Sequence, residues 1–338
     1  MEYRELGKTG LKVSRLGFGG LPLQRVDEEE TKKIVKSLLE NGVNFIDTAR
    51  GYTVSEGLLG EALEGVRDRF VLATKSMART KEEMARDIGI SLGNLRTDYI
   101  DLYQVHNPNM EQLETVIAPG GALEALFEAR DAGKIGHIGI TAHSPEVFKK
   151  ALELPWVETI MFPYNVVENQ GEEFIRACQE KKIGFIAMKP MAGGNIESGS
   201  LAVRFILDNP AVTVAIPGMA AVSEVEENAA AAGDHSPLTD EEKAQIQKIR
   251  QELGSQFCRR CNYCAPCTVG ISIPNVFLFA GYLRRYDLAG WARSRYDSQA
   301  VKADACVECG ECESRCPYQL PIREMLKKAH EELMAVEK

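Results

Sequence analysis

Between residues 16 and 232, short apolar runs alternate with amphipathic stretches. Eight runs are rich in Val, Ile and Phe: 16–20, 43–47, 70–74, 99–106, 135–141, 158–165, 183–189 and 212–218. Many are apolar on both faces, which suits strands of a parallel sheet covered by helices. The intervening segments 28–41, 80–95, 121–132, 171–181 and 200–209 have helical spacing. Asp27 before an acidic run and Ser144 before Pro145 predict helix starts. Asn41-Gly42, Ala132-Gly133 and Lys182 to Gly184 predict helix ends. Eight strand–helix repeats predict an α/β chain folded as a (β/α)₈ TIM barrel, with chemistry at the C-terminal ends of the strands. A doubly wound sheet is the competitor, but it usually opens on a Gly-rich phosphate loop, and LGFGGLPL does not fit that fingerprint.

After residue 232 the pattern changes. TDEEKAQIQKIRQELG, within 233–257, predicts a charged amphipathic helix capped by Thr239 or Asp240. We expect it to pack on the barrel and lead into a C-terminal module. The domains are therefore drawn as 1–250 for the barrel and 251–338 for the module. The helical stretch 275–300 carries Arg284, Arg285, Arg293 and Arg295. A solvated face is the plainer reading; a docking patch for an acidic, ferredoxin-like electron carrier is the sharper one.

Composition narrows the setting. The 338 residues are 44% hydrophobic and 26% charged, which is that of a soluble globular protein. A net charge of −9 argues against nucleic acid or an anionic membrane as partner. No apolar run approaches the roughly 20 residues that span a bilayer. MEYRELGKTG lacks the apolar core of a signal peptide, so the expected location is cytoplasmic. Reducing cytosol disfavours disulfides, so clustered cysteines there point to metal or redox chemistry. Eight of the nine cysteines follow residue 257, while Cys178, in the apolar pattern FIRACQ, is expected in the core.

Cys306, Cys309, Cys312 and Cys316, followed by Pro317, match the C-x₂-C-x₂-C-x₃-C-P run of bacterial ferredoxins. Three cysteines at such gaps can wrap three corners of one cubane, and the fourth reaches a second cluster. Cys258, Cys261, Cys264 and Cys267 supply the second run, with a shortened last gap and Thr268 where proline is usual. Two [4Fe–4S] clusters are expected, one held by Cys258, Cys261, Cys264 and Cys316, the other by Cys306, Cys309, Cys312 and Cys267. The shortened gap leaves that partition open. Structural zinc is the alternative, but four ligands within ten residues, and again within eleven, would crowd tetrahedral sites. VGISIP and YQLPIRE read as apolar shoulders that shield the clusters from water.

Four residues at or just past predicted strand ends give the barrel a reaction: Asp47 and Tyr52 in FIDTARGY, Lys75 in VLATKS and His106 in LYQVH. On these residues the barrel resembles the aldo-keto reductases, from YRELGKTGLKVSRLGFG to the EEN at 226–228. Reducing a carbonyl by hydride requires a proton for the nascent alkoxide. Tyr, with an ordinary pKa of about 10, can supply it if a neighbouring cation favours its ionised form. Lys75 is that cation, Asp47 its orienting carboxylate, and His106 positions the substrate oxygen. Taken singly, each has a structural explanation; together, on successive strands, they make a tetrad. His143, after the fifth strand, is a further pocket candidate.

The resemblance also implies a nicotinamide cofactor. IPGMAAVSEVEEN keeps Pro217, Gly218, Glu227 and Asn228 in places that match the family's phosphate and adenosine contacts. It has no Lys or Arg for a 2′-phosphate, and Glu224 stands where the family often has Arg. Repulsion by that carboxylate leans the choice toward NAD(H) over NADP(H). The nicotinamide pocket departs from the family: Thr141-Ala142 and Met161 replace the usual Ser-Asn pair and Gln. Met188, followed by Lys189 and Pro190, replaces the stacking aromatic.

An oxidoreductase acting on a small carbonyl or alcohol substrate, fused to a two-cluster module for electron transfer or structural support, is the leading expectation. Nicotinamides move electron pairs and each cluster moves one, so a flavin- or ferredoxin-linked enzyme with a modified pocket is an alternative. A non-catalytic barrel scaffold is another. NPNMEQLETVIAPGG, after His106, is expected to cover the pocket mouth.

Overall fold

The computed structural model describes residues 1–254, 257–260 and 262–337. It begins with an antiparallel hairpin, β1 (Tyr3–Glu5) and β2 (Lys12–Ser14), which the sequence pattern did not reveal. Eight parallel strands follow: β3 (Phe18–Gly19), β4 (Phe45–Asp47), β5 (Val71–Ser76), β6 (Ile100–His106), β7 (Ile135–Thr141), β8 (Thr159–Pro163), β9 (Gly184–Met188) and β10 (Val214–Ile216). Each pairs with its neighbour in chain order. The bridges Leu16↔Ala215 and Gly19↔Gly218 bring the last strand back to the first. All eight expected strands are present and the architecture is the (β/α)₈ barrel.

The surrounding helices are α1 (Glu28–Glu40), α2 (Ser55–Ala62), α3 (Lys81–Asn94), α4 (Met110–Ile117), α5 (Ala122–Asp131), α6 (Pro145–Ala151), α7 (Glu172–Glu180), α8 (Gly199–Asp208) and α9 (Val222–Gly233). Their ends follow local chemistry. The Asp27 carboxylate accepts from the Glu30 amide at the start of α1, and the Ser144 hydroxyl accepts from the Glu146 amide at the start of α6. Gly42 and Gly133 adopt left-handed φ values of 70° and 71° just past their helices. The segment after His106 forms α4, opened by a reciprocal cap between Asn109 and Gln112.

Two apolar layers hold the barrel. Outward residues such as Tyr103, Val105 and Ile138 pack with the helices, and Cys178 lies fully buried among them. Inward residues Phe45, Ala73, Leu102, Met161, Ile186 and Val214 form a second cluster with Leu6 and Val13 of the hairpin region. A side chain on Gly7 would meet the Gly184 backbone nitrogen at 2.2 Å, so the hairpin presses directly on the N-terminal end of β9.

The chain divides into two compact units. One comprises Met1–Met191 and Ser198–Thr239; the other comprises Ala192–Glu197 and Asp240–Lys338. The second unit includes the helix α10 (Asp240–Gly254). The second unit continues with α11 (Ile273–Arg285), α12 (Ala289–Asp297), α13 (Glu311–Ser314) and α14 (Ile322–Ala335). Its core gathers Val276, Phe279, Tyr296, Leu326 and Leu333 around the buried Cys264 and Cys312. Ile271, Ile273, Leu320 and Ile322 belong to the same cluster, so the expected apolar shoulders do flank cysteines. Among the described residues no helix is long and apolar enough to cross a membrane.

The arginines of 275–300 each make contacts within the second unit. Arg293 is only 8% exposed and donates to the carbonyls of Met334 and Val336. Arg285 donates to the Gly193 carbonyl at 2.6 Å, Arg284 pairs with Glu332, and Arg295 lies over the Trp291 ring. These contacts tie the unit together.

Candidate functional site

The parallel register brings the ends of β4, β5 and β6 side by side: Asp47 stands opposite Ala73, and Lys75 opposite Gln104. Because side chains alternate along a strand, Asp47, Lys75, Gln104 and His106 all belong to the inward set. Asp47 and Lys75 are each 2% exposed. The Lys75 ammonium donates to Asp47 Oδ2 at 2.5 Å and to the Thr48 carbonyl at 2.8 Å. Asp47 Oδ1 accepts from the Gln104 amide at 3.3 Å.

Burial dominates the electrostatics of this pair. It pushes the Asp47 carboxyl up and pulls the Lys75 amine down, against their mutual attraction and hydrogen bond. A buried ion pair survives only when its remaining lone pairs and protons find partners. Thr48 and Gln104 supply them. Glu56, 1% exposed, adds a second carboxylate that raises the Lys75 pKa through space.

Tyr52 lies in the loop between β4 and α2. Its amide donates to the Ala49 carbonyl and its carbonyl accepts from Ser55, so the loop is a pair of tight turns. Lys75 Nζ stands 4.9 Å from the centroid of the Tyr52 ring. The His106 ring meets the Tyr52 ring edge-on, with centroids 6.4 Å apart. The structure thus brings Asp47, Tyr52, Lys75 and His106 together at the C-terminal mouth of the barrel.

Two residues that the sequence did not flag secure this arrangement. Glu56 accepts from Thr74 of β5, from Ser91 and Asn94 of α3, and from Arg50 in the Tyr52 loop, at 2.7–3.3 Å. Gln104 anchors Asp47 as described. Its place two residues before His106, on the same face of one strand, was the available signal. Glu56 offered none, since an acid in a first helical turn usually faces water.

The expected cofactor residues are spread over the C-terminal ends of later strands. The Thr141 hydroxyl accepts from the Asn107 amide at 2.9 Å, and the Lys189 carbonyl accepts from Asn165 at 2.9 Å. The Pro217 carbonyl accepts from the Gly19 amide, helping close the barrel, and Gly218 bridges Gly19. Met161 is 1% exposed within the barrel's apolar interior, where it offers no hydrogen-bond donor. Glu227 accepts from the Ser200 amide at 3.4 Å, beside the start of α8. Asn228 is 6% exposed and its Oδ1 has no hydrogen-bond partner among the described residues. A buried acceptor beside Gly199, whose absent side chain would sit 3.0 Å from it, is suited to a donor on a bound dinucleotide. The Glu224 carboxylate accepts from the Ala220 amide at 2.5 Å, which fixes its charge at the start of α9.

In the second unit, Cys258, Cys264 and Cys316 line one cavity with Ile273, Pro274, Leu320 and Ile322. This is three of the four ligands expected for one cluster; Cys261 lies outside the described residues. Cys309 shares a 3.3 Å hydrogen bond with the Thr268 hydroxyl, which holds its thiol below the ordinary value and links the Cys306–Cys316 run to the neighbour of Cys267. Among the described residues no three His, Cys, Asp or Glu side chains are close enough to hold one metal ion.

Residues 15–200 match the model of the aldo/keto reductase family, and residues 257–321 match that of a 4Fe-4S dicluster domain. Aldo-keto reductase YhdN of Bacillus subtilis is 33% identical over 194 residues, covering 52% of this chain and 57% of YhdN. L-galactose dehydrogenase of Arabidopsis thaliana is 28% identical over 282 residues, covering 68% of this chain and 88% of that protein. The structure of aldo-keto reductase AKR11C1 from Bacillus halodurans, in its holo form, superposes with a TM-score of 0.64 at 29% identity, covering 74% of this chain and 96% of the other. With its barrel, its strand-end constellation and its iron–sulfur segment accounted for, the chain belongs to the aldo/keto reductase family.

Proposed function

We propose that the barrel reduces the carbonyl group of a small molecule to an alcohol, or runs the reverse oxidation, with Tyr52 as the proton donor. The supporting observation is the Lys75 ammonium, clamped by Asp47 and Thr48 and standing 4.9 Å from the Tyr52 ring. A buried cation there favours the ionised phenol, so Tyr52 can release a proton to a developing alkoxide. His106, edge-on to Tyr52, orients the substrate oxygen. A nicotinamide, when bound, supplies the hydride. Thr141, Lys189, Pro217, Gly218, Glu227 and Asn228 are the residues proposed to hold it, and the fixed Glu224 charge favours NAD(H) over NADP(H).

Cys258, Cys261, Cys264 and Cys316 are proposed to hold one [4Fe–4S] cluster; the shared cavity supports that grouping. Cys306, Cys309, Cys312 and Cys267 are left for the other. Such clusters store and pass single electrons. A ferredoxin-like carrier is their natural redox partner.

A second reading has one observation in its favour. Met161, buried in the barrel interior, has no donor and only a weak sulfur acceptor to offer a carboxamide, which fits a flavin-linked variant of the same site. The absorption spectrum of anaerobically purified protein separates the two, since only the flavin reading requires a flavin band. For the first reading, NADH or NADPH oxidation is followed with para-nitrobenzaldehyde as probe. Tyr52→Phe is expected to lower kcat by about a hundredfold or more while NADH binding persists. Equal turnover in wild type and Tyr52→Phe would sink the proposal.

A further inference from the structure

Gln104 is fully buried at the centre of β6, in a barrel interior whose deeper layers are lined by Phe45, Ala73, Leu102 and Ile186. Its amide nitrogen lies 3.3 Å from Asp47 Oδ1, while Lys75 takes Oδ2. Carboxylate oxygens only accept, so the side chain must present its nitrogen to Asp47, and its Oε1 then faces away. That Oε1 has no hydrogen-bond partner among the described residues. The amide therefore satisfies Asp47 at the expense of leaving its own acceptor unmatched. A core residue chosen for stability alone would not carry that cost.

Gly139 on β7 completes the arrangement. It pairs with Gln104 in the register, and a Cβ on it would lie 3.1 Å from Gln104 Cγ and 2.1 Å from Thr159 Oγ1. The missing side chain leaves Gln104 room to lie across toward Asp47.

We infer that Gln104 is a positioning residue of the catalytic site: it holds the free oxygen of Asp47, so that Asp47 stays ionised and presents its other oxygen to Lys75. The inference rests on the reading of Lys75 as the cation that serves Tyr52. Replacing Gln104 by an apolar residue of similar length removes the hydrogen bond that Asp47 Oδ1 accepts within the buried interior. Burial already pushes Asp47 up and Lys75 down, so without the amide the pair shifts further toward its neutral form. A neutral Lys75 no longer favours the ionised phenol.

The test uses the full chain with its iron–sulfur segment intact, as wild type, Gln104→Met, Asp47→Asn and the double variant. Titration of the Lys75 amine is followed by NMR on lysine-labelled protein, with assignment by Lys75→Met. Gln104→Met is expected to move that titration to lower pH by about one unit. It should also lower kcat for para-nitrobenzaldehyde with NADH about tenfold, with KM changed less than twofold. In the Asp47→Asn background the same substitution should produce no further shift, because the effect travels through Asp47. Unchanged Lys75 titration in Gln104→Met, or an equal shift in the Asp47→Asn background, overturns the inference. Should Gln104→Met not fold, Gln104→Leu is read by the same titration and the same criteria. If the wild type lacks reductase activity, the proposed reaction fails, yet the titration still decides the role of Gln104.

Discussion

The tetrad residues were legible because their chemistry restricts them to a few types at strand ends. Asp, Tyr, Lys and His at the mouth of a barrel have few structural reasons to coincide. Gln104 and Glu56 were not legible, because the burial of a polar side chain is a tertiary fact. Nothing local tells that Glu56 turns inward to collect Arg50, Thr74, Ser91 and Asn94. Cys178 is the opposite case, an apolar setting read directly from its neighbours. Fully buried, its thiol is pushed up to about 12 by desolvation, so at neutral pH it carries almost no thiolate. Iodoacetamide is therefore expected to leave Cys178 unmodified in the native protein and to label it rapidly after unfolding, as read by peptide mass spectrometry. Native-state labelling at the rate of an exposed thiol would contradict the placement.

Strands and helices of the barrel were readable where the apolar run was long enough to show a period. The hairpin strands β1 and β2, three residues each, carry too few positions for one. Position also matters: α10 has helical spacing, but spacing alone does not say which unit a helix joins. One contact between elements makes a pH prediction. At the entrance to β8, Glu158 accepts from the His137 ring at 2.8 Å and from the Ile138 amide at 2.9 Å, tying β7 to its neighbour. Burial pushes the Glu158 carboxyl up, but the His137 and Ile138 hydrogen bonds prevail and hold it below its ordinary value. A carboxyl depressed in the folded state gives stability that is fully present above its unfolded pKa. That stability is lost as pH falls through the lower folded value. Glu158→Gln should thus be less stable than wild type near neutrality and match it more closely in strong acid. Urea midpoints from pH 7 down to about pH 3 check this; a constant difference across that range would refute it.

At the scale of the whole molecule, the two compact units each have an apolar core of their own, and they differ in how far that core suffices. The barrel's buried layers run through all eight strands, whereas the second unit packs short helices around Cys264 and Cys312. Small domains of that kind usually need a staple. Removing iron with a chelator and an oxidant should make 257–337 sensitive to protease while barrel helicity and NADH binding persist. Loss of both together would show that the clusters support the entire chain. The cysteine spacing declared this module, but not where the compact unit begins. At the other end of the barrel, Leu6, Val13 and the glycine contact at Gly7 pack the hairpin region against the N-terminal end of the strands. That seal makes proton traffic to Asp47 and Lys75 a matter of the mouth. A ligand lodged there would stand between the pair and solvent.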